Sequence, residues 1–522
     1  MSVVLKVPDR TQRVERVHPV LPPLPRVAED PTISTRIAWP ARVTRHRWLL
    51  VLILLLLVAF ADRAIAFGNP VIQVDEQFYL LAGDRLLHGD WPFVAIWDRK
   101  PLGLFLLYAA LRLPGGDGIL TYQIAATLSV AATAFIVERM ARRIASPQGA
   151  LLAAILYIVC LPMVGGIGGQ APVFYNLPVA GAAWIVLDAV GRDRIALTGR
   201  GAAAMLLVGL AIQIKYTVLF EGAFLGLALV WASWRRASLA VTAGRTLLWG
   251  TLAFLPSLLA FAGYALAGHG DDFAFANFWS IFLRSGDPAD QTAGRFWTIV
   301  EMTAPLVVLG APAPRLVRDR MRRPALVFAL GWSLVAYVAV MAFGSYFDHY
   351  ALPLFAPLCL AAAPALGRGK AGRGAGAALV ATALIVGAIV VSRNADSRGG
   401  WRTVAPIVAT IGRHPPGCVY VFDGDPIIYH LTQSCLPTRW PFPPHLANHR
   451  EAAALGVDTV AETRRIMAQR PAWVVTTRGP DSGLTNRADA AVVDRALAAG
   501  YRPVMAIPVG KRVRLLYRLR NG

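Results

Sequence analysis

The sequence predicts an α-helical polytopic membrane protein of about eleven spans, followed by a small C-terminal α/β domain. Three observations predict it. Of the 522 residues 56% are hydrophobic, more than a soluble core of this length requires. Apolar runs long enough to cross a bilayer recur from Trp48 to Val391. Arg and Lys gather in alternate gaps between those runs, as they do in cytoplasmic loops. The net charge of +21 is read the same way, because these cations set topology. Nucleic acid is therefore not an implied partner.

Residues 1–46 are rich in Pro, Arg and Val and hold no long apolar run. They lack the shape of a signal peptide and read as a disordered, basic cytosolic tail. Residues 47–391 form the membrane domain. Arg42, Arg45 and Arg47 precede the first span, Trp48 to about Phe67, and keep the N-terminus inside. The first outer loop is 68–117. Within it Leu102–Leu113 is apolar but too short to cross, so it lies at the outer surface. Spans follow at about Ile119–Val137, Ala150–Val164 and Val173–Val190, with Arg139, Arg142, Arg143, Arg192, Arg194 and Arg200 inside. Gly165, Gly166, Gly168 and Gly169 read as a flexible outer loop. Ala202–Trp234 is bounded by cations on both sides, which demands two short spans that turn near Lys215-Tyr216. Lys215 and Glu221 then lie near the outer surface, either as functional charges or as a pair holding two helices. Further spans are Leu247–Ala267, Phe296–Ala311, Ala325–Phe343, Ala351–Leu366 and Ala377–Val391. The loop His269–Arg295 mixes charge with Phe273, Phe275, Phe278 and Trp279, as interfacial belts and lipid grooves both do.

From residue 392 the composition becomes soluble, and topology puts 392–522 outside. Val419–Phe422, Ala472–Thr476, Val504–Ile507 and Val513–Tyr517 read as strands, Ala461–Gln469 and Ala488–Leu497 as helices. Asp423-Gly424-Asp425-Pro426 reads as a turn. Cys160 and Cys359 fall in spans. Cys418 and Cys435 fall in the outer domain, where they are either a disulfide or two buried thiols. No Cys/His cluster has zinc spacing, and no phosphate-binding glycine motif is present.

The densest mix of acids, bases and aromatics is Val74–Pro101, VDEQFYLLAGDRLLHGDWPFVAIWDRKP. Phe78, Leu81, Ala82 and Leu86 mark one helix face, which His88-Gly89 end. Asp75 is either a helix cap or a reactive carboxylate. Asp98-Arg99-Lys100-Pro101 closes the stretch with cations. Acids and lysines at the outer ends favour interfacial chemistry over a second reading, a transporter or flippase of a lipid-linked or anionic substrate. Transport favours ionisable groups and broken helices at mid-membrane.

Asp75-Glu76, Tyr79, Gly89-Asp90-Trp91 and Lys100-Pro101 together resemble the first outer loop of polyprenyl-phosphate-sugar-dependent glycosyltransferases. These form the GT-C superfamily, which includes protein O-mannosyltransferases and the bacterial lipid A aminoarabinose transferase. The likeness covers roughly residues 47–140 and is looser, by topology, beyond. The family often has Lys-Pro-Pro, whereas Leu102 follows Pro101 here. Ser345–Pro353 resembles the His/Tyr-Pro segment that starts a late helix in the same superfamily.

The resemblance implies a GT-C fold in the inner (plasma) membrane and an inverting transfer on its outer face. The donor would be a polyprenyl-phosphate-linked sugar, and the acceptor a glycan, lipid or protein. Asp75 would be the base. Lys100, Lys215 and, less directly, Arg284 would bind the donor phosphate. Glu76, Tyr79, His349 and Tyr350 would orient the reactants. A divalent metal occurs in the wider superfamily, but no motif here demands one, and no cofactor is implied.

The charge pattern predicts where inserted tags will report. Tags after Arg143, Arg236, Arg323 and Arg373 are expected in the cytosol, and tags near Gly166, Gly286 and Gly522 outside. A cytosolic Gly522 in a cysteine-accessibility assay would break the count of spans.

Overall fold

The computed structural model describes residues 47–191, 197–480 and 483–520. The expected tail and the cations Arg192 and Arg194 lie outside the described residues. From Trp48 onward the chain is one compact unit.

Among the described residues nine helices are long and apolar enough to cross a membrane, from Arg47–Ala66 to Gly369–Ile411. Leu197–Ile212 and Val218–Trp234 are shorter apolar helices on either side of Lys215. They lie where the sequence places two short passages turning near Lys215. Asp348–Leu366 is the innermost helix, with 89% of its apolar window buried, whereas Leu239–Leu266 has 11% and faces outward. The difference follows from composition. The inner helix is built of Ala, Pro and Leu, and small residues let neighbouring backbones close in.

Two helices lie across one end of this bundle. Val74–Leu87 ends at His88, and Gly89 follows with φ 91°. Leu102–Arg112 packs along it. A Cβ at Gly83 would stand 2.6 Å from the Ala109 nitrogen, so the close crossing needs glycine there. Nearly every residue from Glu76 to Asp84 is buried, on all faces of the helix, because bundle, loop and C-terminal region enclose it.

That C-terminal region begins where Gly399-Gly400 break the last long helix before Trp401–Ile411. Its four-stranded sheet runs β1 (Val419–Val421), β2 (Trp473–Arg478), β4 (Arg512–Leu519), β3 (Tyr501–Val509). β1 and β2 are parallel, and the other two pairings are antiparallel. Gly510-Lys511 make the tight β3–β4 turn, with Gly510 at φ 59°. β3 and β4 outrun their expected bounds, since the hairpin partners extend each other's ladder, while β1 stops one residue short of its expected end. The helices Thr459–Ala468 and Arg487–Gly500 fall where the periodicity puts them. The region sits on the segment 68–117 through the Phe78–Phe442 and Trp97–His445 ring pairs, centroids 5.1 and 5.0 Å apart. The Trp97 amide also donates to the Arg439 carbonyl at 2.7 Å.

Cys418 and Cys435 are joined as a disulfide, while Cys160 and Cys359 are buried free thiols. Reducing and non-reducing peptide maps should therefore differ by this one link. Because it closes a loop of 17 residues, its removal should cost roughly 3 kcal/mol in the loop-entropy picture.

Candidate active site

Asp75 lies in the first turn of Val74–Leu87, whose N-cap, Gln73, supplies no side-chain cap. The Asp75 carboxylate does not cap the helix either; its hydrogen bond and ion pair run to other segments. Lys100 Nζ is 3.6 Å from Asp75 Oδ1, and Gln170 Nε2 donates to Oδ2 at 3.2 Å. Asp98 Oδ1 flanks the same ammonium at 3.5 Å, and the Tyr79 ring lies beneath it at 5.6 Å. From the turn between the two short helices, Lys215 places its ammonium 4.4 Å from the centre of the Tyr350 ring. His349 stands edge-on to Tyr350 with centroids 4.9 Å apart. Five predicted residues from four separate segments thus meet: Asp75, Lys100, Lys215, His349 and Tyr350. The Asp75 and Lys100 side chains remain 20% and 24% exposed, so the group is reachable.

Electrostatics follow from this crowding. Burial pushes the Asp75 carboxyl up, but Lys100, His349, the Gln170 hydrogen bond and Lys215 outweigh it and hold it below the usual carboxylate range. Burial and the Lys100 charge lower Lys215 to about 7, against the pull of Asp75. Burial also opposes the charge on Lys100, yet Asp98 and Asp75 hold its amine above the ordinary value.

Other expectations are redirected. Glu76 points away from Asp75, beneath the glycine loop, where a Cβ at Gly168 would fall 2.1 Å from Glu76 Oε2. It is fully buried, and burial raises it to about 7. A role in orienting Asp75 directly does not suit it. Tyr79 is also sealed in, against Tyr108 at 5.5 Å, and its reach toward the site is through Lys100. Arg284 has acidic partners of its own: Glu451 at 2.7 Å and Asp287 at 3.4 Å. Glu221 accepts from Trp332 Nε1 at 2.6 Å rather than pairing with Lys215. The loop read as flexible is buried throughout Gly165–Gln170. Arg63 donates to the Gly166 and Gly168 carbonyls at 2.6 and 2.5 Å, which closes the loop down.

Gln170, Asp98, Arg63 and Glu451 carry weight that the sequence reading did not assign. Gln170 and Arg63 have no local signal, since only the tertiary fold aims them. Asp98 was visible as part of the Asp98-Arg99-Lys100 knot. Among the described residues no three His, Cys, Asp or Glu side chains converge as a metal seat would require. The ammonium groups beside Asp75 make this a poor place for a cation.

No protein-family model matches the chain. It is 24% identical over 377 residues to the undecaprenyl phosphate-alpha-4-amino-4-deoxy-L-arabinose arabinosyl transferase 2 of Pseudomonas fluorescens, covering 68% of this chain and 62% of that one. It is 25% identical over 315 residues to the corresponding transferase of Edwardsiella ictaluri, covering 56% and 55%. The chain thus spans about six tenths of the length of the curated relatives it matches. Its fold is that of ArnT from Cupriavidus metallidurans in the apo state, with TM-score 0.56 and 18% identity over 91% of this chain and 98% of that one. The mycobacterial arabinofuranosyltransferase AftD has TM-score 0.50 and 17% identity over 92% of this chain and 40% of that one. These likenesses place the chain on the GT-C fold.

The buried contact beneath the loop is open to test. Gly168→Ala should force Glu76 or the loop aside and cost about 1–3 kcal/mol, as overpacking does. Thermal melting in detergent measures the loss. An unchanged melting temperature would mean that the loop yields freely.

Proposed function

We propose that the chain is an inverting glycosyltransferase that moves a sugar from a polyprenyl-phosphate donor to an acceptor at the outer face of the cytoplasmic membrane. The observation that carries this reading is the meeting of Asp75 with two half-buried lysines, Lys100 and Lys215, at one end of the bundle. The named arabinosyl transferases, and an ArnT structure bound to undecaprenyl phosphate, support the donor class. The tail then lies inside and the C-terminal region outside, above the site.

The arrangement suits the chemistry. An acceptor hydroxyl or amine attacks the anomeric carbon, the bond from that carbon to the phosphate oxygen breaks, and Asp75 takes the acceptor's proton. One displacement inverts the centre and needs one base. Charge accumulates on the leaving phosphate, where Lys100 and Lys215 would stabilise it. Tyr350 and His349 hold Lys215 and the rim of the site, and Gln170 fixes the carboxylate's orientation. Arg284, held by Glu451 and Asp287, is a supporting cation at best. In the free protein the two lysines make Asp75 a weak base. A bound phosphate would compensate their charge, so Asp75 would gain basicity when the donor is seated.

Two variants separate the roles of base and cation. Asp75→Asn keeps size and hydrogen bonding, and should lower transfer by about 10²–10⁴-fold while donor binding survives. A fully active protein would remove the base assignment and bring back the transporter reading. Lys100→Ala should weaken donor binding as well as turnover, because the phosphate is already charged in the ground state.

Lys215 gives a pH signature. Its amine sits at about 7 before binding, and a bound anion raises it, so binding takes up a proton. A phosphodiester keeps one charge over this range. Its affinity should therefore fall as pH rises above 7, by up to about tenfold per unit. Lys215→Arg should flatten the profile, and calorimetry in two buffers of different ionisation heat reads both effects.

A further inference from the structure

A cavity of about 730 Å³ opens between the α/β region and the start of the Val74–Leu87 helix. Asp75, Lys100 and Lys215 do not line it, so the chemistry above leaves it unused. Its volume falls within the roughly 300–1,000 Å³ of small-ligand sites.

One wall is formed by the carboxyl ends of the two parallel strands. Phe422-Asp423 follow β1, and Thr476-Thr477 lie toward the end of β2. In open α/β sheets this crevice is where ligands are held. The opposite wall is Gln73, Val74 and Gln77. Arg398 donates to the Ile72 carbonyl at 2.8 Å and so fixes the segment that carries this wall. Asp75 follows Val74 directly, so the cavity and the proposed base share one rigid stretch of backbone.

The lining has a definite chemistry. Carboxylate, amide, hydroxyl and guanidinium groups alternate with the apolar Phe422, Pro443 and Pro444. Arg514 pairs with Asp425 at 2.7 Å and donates to Thr477 Oγ1 at 2.6 Å, which sets the sheet side rigidly. Asp423 makes no ion pair among the described residues, and Arg512 is exposed at the mouth. Three acids and four arginines share the lining, so a bare anion would meet both signs of charge, and a lipid tail would meet charge where it needs an apolar wall. A sugar chain offers hydroxyls to the amides and acids and C–H faces to the prolines.

We propose that this cavity binds a short glycan that belongs to the acceptor and leads it to Asp75. The proposal rests on the glycosyltransferase reading and deepens it. The full chain in lipid nanodiscs is probed with an array of oligosaccharides of two to six sugars, covering neutral, acidic and amino-bearing types. The strongest binder is then titrated by calorimetry, and undecaprenyl phosphate is titrated separately. Saturable glycan binding is expected, and Asp423→Asn and Arg512→Gln should each weaken it by about tenfold or more, the worth of a charge-assisted hydrogen bond. Both variants should bind undecaprenyl phosphate as the parent does. If the protein binds undecaprenyl phosphate but no glycan, or if both variants bind glycan unchanged, the cavity assignment falls. If undecaprenyl phosphate fails to bind while glycan binding responds to both variants, the donor reading falls and the cavity assignment stands.

Discussion

The candidate site depends on one buried guanidinium. Arg63 is 1% exposed and spends its donors on Thr127 Oγ1 and the Gly166 and Gly168 carbonyls. A buried cation without partners would be prohibitively costly, so the loop carbonyls are as necessary to Arg63 as Arg63 is to the loop. Once the loop is drawn in, Gly168 leaves room for the Glu76 carboxylate, and Gln170 arrives at Asp75. The first membrane helix thus fixes the orientation of a carboxylate it never touches. Glu76, another first-turn acid of the Val74–Leu87 helix, serves as a structural acid beneath the loop, which is why adjacent carboxylates need not share a task.

A second layer of charge ties the α/β region to the membrane half. Glu451 receives Arg99 at 2.9 Å and Arg284 at 2.7 Å. Asp287 in turn collects Arg284, Arg295 and Arg450. Arg99 adjoins Lys100 in sequence, so this lattice holds the backbone that presents the Lys100 amine to Asp75. Burial raises and the arginines lower the Glu451 carboxyl, with the arginines prevailing. The lattice therefore stays charged at neutral pH, and it accounts for the conversion of Arg284 from a candidate ligand into a strut.

Much of this was legible in the chain. Hydropathy marked the nine long apolar helices and the short pair around Lys215. Asp75, Lys100, Lys215, His349 and Tyr350 stood out because charges beside apolar runs are rarely idle. What could not be read were the directions of side chains. Glu76 and Asp75 are neighbours in sequence, yet a helix turns successive residues by about 100°, and only packing decides which faces the opening. Glycine runs look mobile in a sequence because nothing in them reveals an arginine 103 residues away. The cavity wall was equally hidden, since Asp423 and Gln77 are brought opposite each other only when the sheet docks.

The two short helices around Lys215 have a consequence for the surrounding lipid. With 16 and 17 residues they are only about 24–26 Å long, against a hydrocarbon layer of about 30 Å. A bilayer adjusts to such mismatch by thinning locally. If the pair spans the bilayer, the headgroup plane would dip beside Lys215, and the polyprenyl-phosphate donor proposed above would reach the amine without leaving its leaflet. The deformation of the solvent, as much as the placement of the lysine, would then deliver the charge.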